Sequence, residues 1–129
     1  YQEVTGVQTC ALPIYEILPS AGQGVIALQC KSDDEYIKNV LKKINDEKTF
    51  KSVQAERNVL KVLEGDCETA VGAISTINNE NITLQGELFS LDGKERFYCK
   101  SSRDINSAAE LGIEIGENLK KQSKGSYKK

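Results

Sequence analysis

Residues 55–73, AERNVLKVLEGDCETAVGA, pass from a helical to a strand pattern through one short corner. Apolar residues recur at helical spacing up to Leu63, and an apolar, strand-like run follows from Thr69. Gly65 stands where such a helix should stop, because the residue that ends a helix often takes the left-handed conformation glycine tolerates. Between the two elements lies a single thiol, Cys67. A thiol at such a corner is either a packed small hydrophobe or a chemical handle. Its surroundings decide between them.

The corner fixes the reading of what flanks it. Downstream, 69–77, 82–91 and 95–101 read as strands, separated by the hairpin signals Asn78–Asn81 and Asp92-Gly93. This order predicts an antiparallel meander. Asp104 can cap a closing helix over about 105–121, with Ala108, Leu111, Ile115 and Leu119 on one face. The polar tail 122–129 is expected to fray. Upstream, Thr49 can cap a helix over 50–64 with Phe50, Val53, Leu60 and Leu63 on one side. Ser32 and Asp33 can cap another over 32–46, with a stripe of Tyr36, Ile37, Val40, Leu41 and Ile44. Before it, 17–24 is a Pro- and Gly-punctuated turn. The apolar run 24–30 then suggests a strand buried on both faces, as in a parallel sheet that the rest of the chain is too short to supply. The fold class expected is α+β: a three-stranded antiparallel sheet packed with helices over 32–121, preceded by one orphan strand. Residues 15–31 are then a remnant of a neighbouring α/β domain.

Composition removes several function classes. A chain of 129 residues with 39% hydrophobic and 28% charged residues suits one modest globular domain. A net charge of -2 gives no basic field, so nucleic acid is not an expected partner. No apolar run approaches the roughly 20 residues that span a bilayer, so neither is a membrane, and no secretory signal is visible. The cysteines at 10, 30, 67 and 99 are widely spaced with no C-x-x-C pair, which argues against zinc and for free thiols in a reducing cytoplasm. Histidine is absent, which removes every Ser-His and Cys-His nucleophile. Residues 4–14, VTGVQTCALPI, match the forward translation of a common sequencing-library adapter. Residues 1–14 are therefore expected to be foreign, and Cys10 to have no biological role.

Together, ILPSAGQGVIALQCKSDD and AERNVLKVLEGDCETAVGA resemble the C-terminal third of the porphobilinogen deaminase (hydroxymethylbilane synthase) family. The family pattern runs approximately LPAxGQGAxxIxCRxDD, then AERxxLxxLEGGCxxPIG. The resemblance covers about 17–121 and includes the DG turn and the closing LGIEIGENLKK helix. It implies a cytoplasmic transferase, monomeric as a whole, that joins four porphobilinogen molecules into hydroxymethylbilane with release of ammonia. It implies a dipyrromethane cofactor on a thioether to the cysteine matching Cys67, beside Gly65. A soft, polarizable thiolate suits that bond. No catalytic residue is expected here, because the family's catalytic aspartate and arginine cluster lie in two preceding domains, and the chain alone is expected to be inactive.

Near the anchor the chain departs from the family pattern: Asp66 replaces the second glycine, Glu68 a glutamine or histidine, and Ala70 a proline. With Glu64, this places three carboxylates around Cys67, which should raise its thiol pKa unless cations approach. The substrate's acetate and propionate groups call for basic side chains. Arg57 is the nearby candidate, as a cofactor-binding residue. The rival reading is a non-catalytic α+β module that binds a partner through an exposed edge strand at 24–30.

Overall fold

A computed structural model describes residues 17–64 and 69–129. The adapter-like segment 4–14, with Cys10, lies outside the described residues, as do Gly65 and Cys67. Helix α1 (Glu35–Lys42) and helix α2 (Glu47–Leu63) come first. Strands β1 (Val71–Asn78), β2 (Asn81–Phe89) and β3 (Arg96–Asp104) follow, then a short 3-10 turn (Ile105–Ser107) and helix α3 (Ala108–Ser123). The sheet is antiparallel in the order β1-β2-β3, with Asn78 opposite Asn81 and Asn81 opposite Asp104. This is the expected three-stranded α+β arrangement. No helix among the described residues is long and apolar enough to cross a membrane.

Helices α2 and α3 form one layer and the sheet the other. Alternation along β2 turns Ile82, Leu84 and Leu88 into the core, where they meet Ala55, Val59 and Leu63 of α2 and Leu111, Ile115 and Leu119 of α3. The two helices approach closely because α3 carries glycine where they touch. A Cβ on Gly112 would collide with the Ala55 carbonyl oxygen, and one on Gly116 would lie 2.7 Å from Val62 Cβ.

Local chemistry moves several element boundaries. Helix α1 starts at Glu35, because Asp34 and not Ser32 or Asp33 accepts the Ile37 amide at 3.0 Å. Asp46 caps α2 in place of Thr49, whose own amide is the donor at 2.7 Å. That bond holds the Asp46 carboxyl below its ordinary pKa. The left-handed residue that ends α2 is Glu64 (φ 51°, ψ 36°), one position before the glycine expected there. Asp104 does cap the next element, accepting the Asn106 amide, but that element is the 3-10 turn leading into α3.

Two expectations are overturned. The run 24–30 forms no strand. A strand persists only with a ladder partner and cover for its apolar faces, and here Ile26 is 89% and Leu28 61% exposed. The apolar stripe of α1 is likewise open, and α1 buries none of its residues. The tail does not fray. It turns at Lys124 and Gly125 and returns Tyr127 to the core at 1% exposure, with the Leu91 amide donating to the Ser126 carbonyl.

Candidate functional site

The corner that carries Cys67 is bounded by Glu64, which ends α2, and by Thr69 and Ala70, which lead into β1. The upstream boundary is heavily tied. The last carbonyls of a helix have no partner within it. Here Leu63 O accepts the Tyr127 hydroxyl at 3.0 Å, and Val62 O accepts Lys120 Nζ at 3.3 Å. The Glu64 carboxylate lies 3.4 Å from Lys120 Nζ and 3.7 Å from Lys128 Nζ. Two ammonium groups thus stand at the one carboxylate of the corner that is described. No local pattern in the sequence links these cations to the corner, because they lie more than 50 residues away along the chain.

Arg57 does not join this cluster. It lies on α2 beside the buried Glu56 and is itself exposed. Glu56, the middle residue of the AER motif, was missed as a functional position although the helical phase of Ala55, Val59 and Leu63 places it on the inner face. Its Oε1 accepts the Ser75 amide at 2.8 Å and the Ser75 hydroxyl at 2.7 Å, while Oε2 accepts the Gly22 amide at 2.8 Å. This one carboxylate ties the GQG turn to β1 across α2. It forms part of an open cleft of about 340 Å³, which Gln23, Lys48, Thr49 and Ser52 also line. With both oxygens bonded to the protein, Glu56 is a clasp and not a free acid or base.

A second carboxylate fastens the same incoming segment on the opposite face of the sheet. Glu87 is fully buried; its Oε1 accepts the Leu18 amide at 2.6 Å and its Oε2 meets Arg96 Nε at 2.9 Å and Nη2 at 2.6 Å. Pro19 O then accepts the Ala73 amide at the free edge of β1. No periodicity announces Glu87, because it shares the face of β2 away from the core with the polar Thr83 and Gln85. The remaining described thiols are plainer. Cys99 packs against the core, and burial followed by the charge of Glu114 pushes its pKa up. Cys30 is half-buried at the end of the open run 25–30.

Residues 50–121 match the family described as porphobilinogen deaminase, C-terminal domain. A porphobilinogen deaminase of Desulforamulus reducens is 38% identical over 108 residues, which cover 84% of this chain and 35% of that protein. One of Brevibacillus brevis is 39% identical over 115 residues, 88% of the chain and 37% of that protein. One of Prochlorococcus marinus is 36% identical over 115 residues, 84% of the chain and 36% of that protein. The chain therefore spans about a third of the length of these curated relatives.

Proposed function

Since the chain belongs to the porphobilinogen deaminase C-terminal domain family, we propose that it is the part of such an enzyme that tethers the dipyrromethane cofactor through Cys67. The whole enzyme condenses four porphobilinogen molecules to hydroxymethylbilane with loss of ammonia. The observation that carries this reading is the ordered pair of motifs, GQG at 22–24 and LEGDC at 63–67, with the thiol set between the end of α2 and the start of β1.

The described residues fit the tether and not the rest of the binding. The cations at Glu64 offset a neighbouring carboxylate that would otherwise disfavour a thiolate at the corner. When bound, the cofactor supplies the pyrrole primer on which the product grows. Its carboxylates need basic partners that the described residues do not assemble, since Arg57 points to solvent and Lys120 and Lys128 face Glu64. Those partners belong, on this reading, to the two thirds of the relatives that this chain does not span. The same portion covers the open apolar residues between Val25 and Phe50, with 15–31 as its returning segment. The chain by itself then does not turn over porphobilinogen.

The test is the mass of the longer protein obtained by recovering the upstream reading frame. Expressed where porphobilinogen is made, it should carry two additional pyrrole rings, located on Cys67 by peptide mapping and lost in Cys67→Ser. A dipyrrole found on another residue, or retained in Cys67→Ser, would overturn the assignment. Consumption of porphobilinogen by the 129-residue chain would overturn the expected inactivity.

A further inference from the structure

We infer that the C-terminal segment, through Tyr127 with Lys120 and Lys128, is a positioning strap that fixes the point from which the Cys67 corner departs. The inference rests on reading Cys67 as the attachment residue, and it adds which side chains set where that residue starts. Helix α2 ends on a non-glycine residue in the left-handed region, Glu64 at φ 51°, a conformation that costs a Cβ-bearing residue free energy. The groups that hold this last turn come from the far end of the chain.

The tail reverses after α3 and sets the Tyr127 ring in the core beside Leu63, 64 residues away in sequence. Its hydroxyl donates to the Leu63 carbonyl at 3.0 Å, satisfying a buried acceptor that the helix itself leaves open. Lys120 donates to the preceding carbonyl, Val62 O, at 3.3 Å. Lys120 and Lys128 then both approach Oε2 of the Glu64 carboxylate. Three consecutive residues, Val62, Leu63 and Glu64, are thus held by three side chains of one distant segment, and Cys67 follows three positions later. A tail whose only task was to cover the core would need the ring of Tyr127 and a donor for Leu63 O, but not the two lysines at Glu64. Tyr127, Lys120 and Lys128 are positioning residues: they act on the thiol only through the backbone that delivers it.

The experiment is pulsed alkylation of the folded 129-residue chain with iodoacetamide, read separately at Cys67, Cys30 and Cys99 by peptide mass spectrometry. Tyr127→Phe keeps the ring and removes the hydroxyl. It should change the Cys67 rate about fivefold, the factor that one buried hydrogen bond is worth, and leave Cys99 in the core unchanged. The double variant Lys120→Met, Lys128→Met leaves the ring and its hydroxyl in place and should move Cys67 in the same direction. A merely structural tail would shift Cys67 and Cys99 together, and that result, or an unchanged Cys67 rate in both variants, would overturn the strap. The measurement involves no pyrrole chemistry. A strap that holds while no dipyrrole appears on Cys67 would sink the functional reading alone, and the reverse outcome would sink the strap alone.

Discussion

Two arginine–carboxylate pairs with similar geometry differ in what they contribute, and the difference lies in water. Arg96 Nη2 lies 2.6 Å from Glu87, whose side chain is 1% exposed; Arg103 Nη2 lies 2.6 Å from Glu114, whose side chain is 32% exposed. Removing Arg96 leaves a buried carboxylate with the Leu18 amide as its one partner among the described residues, so Arg96→Met should cost about 2 kcal/mol, the usual range for a charge-assisted hydrogen bond. Arg103→Met, beside a solvated carboxylate, should cost under about 1 kcal/mol. Urea midpoints of the two variants check the ranking, and equal losses would contradict it. Glu114 also carries a pH signature. Hydrogen bonds from Arg103 and Ser101 hold its carboxyl below the ordinary 4.5. The folded chain therefore binds that proton less readily than the unfolded chain. Its stabilisation is complete above about pH 4.5 and is lost as pH falls through the lower folded-state value. Arg103→Met should flatten the stability–pH curve in that acid window by lowering the neutral plateau by under about 1 kcal/mol, while stability below the window stays nearly unchanged. Much of this was invisible in the sequence. Arg57 was singled out for its nearness to Cys67 along the chain, whereas Lys120, Lys128 and Tyr127 reach the same corner only because α3 and the tail run back alongside α2. Proximity in space between residues 56 or more positions apart leaves no local pattern to read.

At the scale of elements, the legible features were those set by local periodicity and turn chemistry. The meander was readable because Asn79 and Gly93 occupy positive φ between alternating runs, and α3 because Leu111, Ile115 and Leu119 keep helical spacing. The run 24–30 departs from the expected strand because apolarity says that a segment needs cover but not that the cover is at hand. The packing of the tail is not legible because one aromatic among polar residues carries no period. The α2–α3 contact shows how far local propensity can mislead. Alanine at Gly112 should favour an isolated helix by about 1 kcal/mol. In the fold its methyl group meets the Ala55 carbonyl and Asn58 Cβ, backbone and packed side chain that cannot easily give way. Gly112→Ala should therefore destabilise by about 1–3 kcal/mol, as overpacked interiors do, and thermal unfolding would show it as a lowered Tm. A raised Tm would mean that the helices can separate to admit a methyl group.

Across the whole molecule, apolar exposure is distributed unevenly. Ile17, Val25, Ile26, Leu28, Tyr36, Val40, Ile44 and Phe50 are all exposed, and all precede the middle of α2. Later in the chain only Leu91, Tyr98 and Ile113 are exposed among the large apolar residues described. Isolated apolar residues on a surface need no explanation, but a cluster along one stretch marks an interaction surface or a liability to associate. The segment is also firmly held at its base, since Glu87 grips Leu18 and Glu56 grips Gly22, so the apolar residues from Val25 onward project from a fixed root. Nothing described covers them, and the chain in isolation should associate through them as concentration rises. Ile26→Lys with Leu28→Lys should suppress that association, seen as a return to the monomer mass in sedimentation. The same pair should leave the Tm at low concentration unchanged, because residues so exposed contribute little to the fold. Association that persists in the double variant would place the sticky surface elsewhere. A fall in Tm would mean that the arm packs on the domain, against the exposure seen here. If both expectations hold, packing within the domain and cover for the arm are separable, as a family whose members are more than twice this length would require.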